Sequence, residues 1–170
     1  MSHQQSAHPQ GWAPRSTPQS ARPQTWAPPQ QPVDHPAAAH LSAGARRDFT
    51  AAVSYLLPGE TVQGVWAGTV WDEGGSLSKS AMGVLVVTSQ RVIASGSTLG
   101  VRISRQILLT DVVASDFHQD ALRLVQGAPT VVVTGAGGHR VRFTPKKHGV
   151  AAELAPWILA MRQYASRQAG

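Results

Sequence analysis

Cysteine is absent from the 170-residue sequence. That excludes disulfides, thiolate metal sites and cysteine nucleophiles together, and leaves nothing to suggest an oxidising compartment. Long apolar runs are missing as well: Gly, Ser or Arg breaks each one well short of the ~20 residues that a membrane-spanning helix requires. The first ten residues, MSHQQSAHPQ, lack the apolar centre of a secretion signal. A soluble, cytoplasmic chain is the expectation. Charged residues are scarce, at 14%, and acidic ones scarcer than basic: 9 Asp plus Glu face 15 Lys plus Arg, for a net charge of +6 and a pI near 10.8. This excess makes phosphate-bearing ligands and acidic surfaces candidate partners. The length suits one domain with little to spare, which argues against a two-domain enzyme.

Glycine is nearly missing from residues 1–40, which hold only Gly11 of the sixteen, whereas eight of the twelve prolines fall there, at 9, 14, 18, 23, 28, 29, 32 and 36. Gln, Ser, Ala and Pro dominate this stretch and aliphatics are few, so it buries too little apolar surface to offset the ~1–2 kcal/mol per residue that backbone ordering costs. A disordered tail, in part polyproline II, is predicted. Within it Trp12-Ala13-Pro14 recurs as Trp26-Ala27-Pro28. Two exposed tryptophans in a proline-rich tail can anchor in a partner's groove, although low-complexity drift by duplication is the simpler explanation of the repeat.

Residues 41–170 suffice for one core without staples. In LSAGARRDFTAAVSYLL, Leu41, Ala45, Phe49, Val53 and Leu56 recur at steps of four and three, with Arg46, Arg47 and Asp48 mostly off that stripe. This predicts an amphipathic helix over 41–57, stopped by Pro58-Gly59. From Thr61 to Phe143 short runs rich in Val, Ile, Thr and Trp alternate with glycine-containing turns. They predict strands at 61–71, 81–88, 91–96, 99–106, 110–118, 121–126, 130–135 and 139–144, joined as antiparallel hairpins. Helical period returns with Val150, Leu154, Ile158, Met161 and Ala165, with Trp157 beside the stripe. Thr144-Pro145 offers an N-cap and first-turn proline, Gly149 leaves the start open by several residues, and Pro156 predicts a kink or a second helical piece. A helix of this kind after antiparallel strands plugs an open end or covers a sheet edge.

Leu57-Pro58-Gly59-Glu60 before the first strand, then VLVVTSQRVI (84–93), then ILLTDVVASDF (107–117) and a closing amphipathic helix resemble the bacterial pleckstrin-homology-like (PH-like) domains related to GRAM domains. The matching positions are Pro58, Gly59 and Glu60, and Val87, Thr88, Arg91 and Val92. The resemblance covers roughly residues 56–165. It implies a strongly bent antiparallel sheet or barrel of about seven strands capped by the C-terminal helix, with no catalytic chemistry, no cofactor and a binding or scaffold role. Better-known relatives hold phosphoinositide headgroups with basic residues in the first strand-to-strand loop. Here that loop reads WDEGGSLSKS, with Asp72, Glu73 and only Lys79, so the basic cluster is missing. The layout is thus a tail at 1–40, a helix at 41–57 and a PH-like domain at 58–167.

The cationic excess is C-terminal: residues 139–170 carry six basic side chains against Glu153 alone. Strand alternation in HRVRFT sends Arg140 and Arg142 to one side and Val141 and Phe143 to the other, and Lys146, Lys147 and His148 follow. If the last helix begins near Pro145, the two lysines sit beside its unpaired N–H groups, an arrangement suited to an anion. Arg140, Arg142, Lys146 and Lys147 are therefore candidate anion or acidic-lipid ligands, the alternative being a solvated, solubilising face. Asp116, His118 and Asp120 share one side of a strand, as a divalent site would need, but stand at a turn where polar residues are ordinary, and no metal is expected. GAGGHR (135–140) lacks the Gly-Lys-Ser/Thr ending and βαβ context of a phosphate loop and reads as a hairpin turn needing positive φ. His139, His148, Asp111 and nearby serines have no triad spacing and no GxSxG elbow. Trp66 and Trp157 read as neighbouring core residues. The expectation is a non-enzymatic binding module, foremost for protein partners, with peripheral attachment to acidic membranes through the C-terminal basic face as the alternative. Nucleic acid ranks lower, because only Phe143 punctuates the basic stretch.

Overall fold

The computed structural model describes residues 35–72, 79–119, 128–147 and 149–168. A short 3-10 turn at Pro36–Ala38 leads to helix α1 (Ala43–Val53), and a second helix, α2 (Val150–Gln168), closes the chain. Between them run β1 (Val62–Asp72), β2 (Lys79–Thr88), β3 (Arg91–Thr98), β4 (Val101–Leu108), β5 (Val112–His118), β6 (Thr130–Gly135) and β7 (Arg140–Pro145). The predicted strand at 121–126, and Trp12 and Trp26 of the tail, lie outside the described residues. Every neighbouring pair is antiparallel, in the order β4-β3-β2-β1-β7-β6-β5. The sheet curls until β4 meets β6 and β7 across the interior, and α2 packs on β5, β6 and β7 to close it. This is a PH-like fold, with α1 added to it.

The sheet has a core on each side. Leu85, Val87, Val92 and Ala94 point inward to Phe143, Leu154 and Ile158, whereas Val84, Val86 and Ile93 point outward to Phe49, Val53 and Leu56 of the α1 segment. A strand covered on both faces has no polar side to alternate with, which is why Val84-Leu85-Val86-Val87 reads as an unbroken apolar run. The stripe expected on α1 is buried throughout, at Leu41, Ala45, Phe49, Val53 and Leu56. Among the described residues, no helix is long and apolar enough to cross a membrane.

Local chemistry sets the helix ends. Ser42 caps α1, its Oγ accepting the Ala45 N–H at 3.4 Å, and α1 stops at Val53, short of the predicted Leu57. Residues ahead of α1 also pack on it: Ala38 is buried and the His35 ring sits 5.9 Å from that of Phe49. At the other end, α2 starts at Val150, not near Pro145, which is the last residue of β7. Gly149 makes the turn between them with φ +87°, a value that favours glycine. The Thr144 hydroxyl serves the sheet instead, accepting the Trp71 indole N–H at 2.9 Å. Pro156 lies inside α2, which continues through it with no second piece. Pro156 and Ala152, whose carbonyl loses its helical partner, are both exposed, so water can satisfy that carbonyl.

Candidate functional site

The segment that follows α1 is clasped to the sheet by a buried ion pair. Arg91, at the start of β3, donates from Nε to Glu60 Oε1 at 2.8 Å and from Nη2 to Glu60 Oε2 at 2.5 Å. The same guanidinium donates to the Tyr55 carbonyl at 2.9 Å and to Gln106 Oε1 at 2.8 Å. Thr88 donates to Glu60 at 2.5 Å, and the Leu57 N–H donates to Glu60 at 2.9 Å. Burial works to raise the Glu60 pKa, but donation by Arg91, Thr88 and the Leu57 amide outweighs it and holds the carboxyl below its ordinary value. The Glu60 carboxylate in turn raises Arg91 against the opposing effect of burial. The motif residues Glu60, Thr88 and Arg91 therefore hold the segment after α1 against the sheet.

A groove opens where β7 leaves β1. The two strands pair only from Gly68↔Pro145 to Trp71↔Arg142. Gly68 permits the approach, because a Cβ there would collide with the Thr144 carbonyl and the Phe143 ring. After Lys146, whose N–H donates to the Ala67 carbonyl at 2.9 Å, the chain turns towards α2. Residues Val62–Trp66 thus have β2 as a strand neighbour on one side and no strand on the other among the described residues. The resulting groove, about 970 Å³, runs between this stretch of β1 and the first half of α1, with Leu41, Ala45, Val65, Trp66 and Met82 as its apolar surface. Leu41, Ala45 and Val65 are buried at its base, Trp66 is half-buried and Met82 is 56% exposed, so Met82 and Trp66 are the apolar groups open to a partner. The Trp66 ring is held from behind by Trp157 of α2, edge-on at 5.2 Å.

Cations rim this groove. Arg47 comes from α1, and Lys146 and Lys147 from the corner between β7 and α2; all three are exposed. The one carboxylate on the lining, among the described residues, is Asp48, which is buried and accepts the Ser97 hydroxyl at 2.8 Å. Asp48, expected off the apolar stripe, is thus drawn inward by a partner 49 residues away.

The four predicted cations do not share one cavity. Lys146 and Lys147 line the groove, whereas Arg142 lies over the Trp71 ring at 5.2 Å and Arg140 lines a separate hollow with Arg105, His139 and Asp72. Arg105 is already paired there with Asp72 at 2.7 Å. The lysines precede α2, which starts at Val150 rather than near Pro145, and they line the groove together with Val150. Asp116 and His118 are exposed on β5, and Asp120 and His148 lie outside the described residues. The 135–140 segment forms the β6–β7 turn, with Gly137 and Gly138 at φ +82° and +81°. Sequence reasoning missed Arg47 as a groove residue, since nothing local connects α1 with residues 146 and 147.

No protein-family model matches the sequence, and no curated protein matches it. Among solved structures the chain is similar to the C-terminal domain of an unknown protein from Leishmania infantum, at 14% identity and a TM-score of 0.46, over 69% of this chain and 94% of that one. It is also similar to the Vps36 N-terminal PH domain, at 16% identity and a TM-score of 0.46, over 64% and 83% of the two chains. A third similarity is to the linker-DH/PH domains of p115-RhoGEF, at 5% identity and a TM-score of 0.45, over 75% of this chain and 35% of that one.

Proposed function

We propose that the chain is a non-enzymatic PH-like binding module that holds a segment of another protein in the groove between α1 and β1. The observation that carries this is the one-sided stretch Val62–Trp66, a strand edge lying against an apolar surface. Main-chain groups at such an edge recognise polypeptide, and the adjoining surface of Trp66 and Met82 receives an apolar anchor. The Pro-rich tail with Trp12 and Trp26 extends the reach of the module to further partners. The rival, an acidic-lipid site made of Arg140, Arg142, Lys146 and Lys147, is weakened because these side chains serve separate surfaces.

Selection of a random-peptide display library on the full chain, with counter-selection on a Met82→Ser variant, tests this function. Peptides that bind the wild type and are lost on Met82→Ser are expected, with slowed amide exchange in residues 62–67. A library that yields no peptide sensitive to Met82→Ser overturns the reading.

A further inference from the structure

Resting on this assignment of the groove, we infer that its partner segment is acidic: an apolar anchor flanked by Asp, Glu or phosphorylated side chains. The charge pattern of the lining carries the inference. Arg47 from α1 and Lys146 and Lys147 from the β7–α2 corner are exposed, and Lys146 is tied to the sheet through its backbone N–H, which donates to the Ala67 carbonyl, rather than through its ammonium. Asp48, the one carboxylate there among the described residues, is buried with its Oδ1 engaged by Ser97. A bound segment therefore meets positive charge on both flanks of an apolar floor.

The groove is where two differently charged parts of the chain meet. Arg47 comes from residues 41–138, over which acidic and basic side chains balance, whereas Lys146 and Lys147 belong to the cationic stretch 139–170. Arg47 is separated from Lys146 by most of the domain in sequence and reaches the same groove because α1 packs on the outer face of β2 and β3. A basic partner segment would place like charges together on both sides, and a neutral one would leave the rim unused, so acidity is what the groove selects.

An acidic membrane offers the same charge, yet the apolar residues here lie in a recess beside a strand edge, where a polypeptide fits and a bilayer surface does not reach as easily. The commitment is to a protein segment.

The test uses the full chain and the same random-peptide display library, sequenced after selection. Peptides that depend on Met82 are expected to be net negative, with aromatic or aliphatic anchors. Replacing their Asp and Glu by Asn and Gln should weaken binding about tenfold, and raising salt from about 50 to 500 mM should weaken it similarly. The double variant Arg47→Glu, Lys146→Glu, both at exposed positions, should abolish the acidic preference while its thermal unfolding stays as in the wild type. A Met82-dependent pool that is neutral or basic overturns this inference and leaves the peptide-binding function standing. A pool with no dependence on Met82 removes both. Retention of the full chain on mixed phosphatidylcholine and phosphatidylserine vesicles, lost in the double variant and with no acidic peptide bound, assigns the rim to lipid and overturns the inference.

Discussion

Arg91 grips both carboxylate oxygens of Glu60, with the Glu60 side chain fully buried and that of Arg91 9% exposed. Because the guanidinium also reaches the Tyr55 carbonyl and Gln106, this one pair ties the end of the α1 segment to β1, β3 and β4. Removing either partner alone strands a buried charge. Glu60→Gln and Arg91→Met are each expected to cost about 3–5 kcal/mol in denaturant unfolding. Replacing both partners by apolar residues should cost far less than the sum of the two single changes.

The same pair makes stability depend on acid. The folded-state pKa of Glu60 lies below its ordinary value, so its contribution is complete above that value and disappears as pH falls through the lower, folded one. Unfolding free energies measured between about pH 2 and pH 7 should therefore fall on the acid side in the wild type, and fall less in Glu60→Gln. Equal pH profiles for the two proteins would contradict this role for Glu60.

Trp66 and Trp157 meet edge-on at 5.2 Å and hold the floor of the groove against α2. A double-mutant cycle with Trp66→Leu and Trp157→Leu should give a coupling energy of about 0.5–1.5 kcal/mol. Loss of Trp157 alone should also change the environment of Trp66, read by fluorescence of variants lacking the other tryptophans.

Gly68 stands where β7 crosses β1, and a Cβ there would strike backbone. Gly68→Ala should destabilise the fold by about 1–3 kcal/mol. Gly44, inside α1 with open space around it, is the contrast: Gly44→Ala should stabilise by about 0.5–1 kcal/mol.

Much of this architecture is legible in the residues. The period-four stripe from Leu41 to Leu56 and the period-two run Arg140 to Phe143 report burial on one face, so helix and strand follow directly. The Trp66–Trp157 contact follows from two large apolar residues on elements that must close one core. Non-local geometry was not legible. Pro145 reads locally as a first-turn residue, but pairing with Gly68 holds it in β7. Glu60, Thr88 and Arg91 stand out as a motif, yet only the fold shows that they satisfy one another. The groove stayed hidden because its cations come from opposite ends of the domain, and half of the predicted basic face, Arg140 and Arg142, is turned to other surroundings.

The central claim is that the groove between α1 and β1 receives another protein. A photoreactive phenylalanine analogue placed at Met82 in the full chain, with Val113 on β5 as an equally exposed control position, tests it in the native cell. The expected result is a discrete protein cross-link from position 82, abolished by Arg47→Glu with Lys146→Glu and absent from position 113, whose attachment site maps to an acidic segment of the partner. Cross-links of equal yield from both positions, or lipid as the only product at position 82, would contradict it.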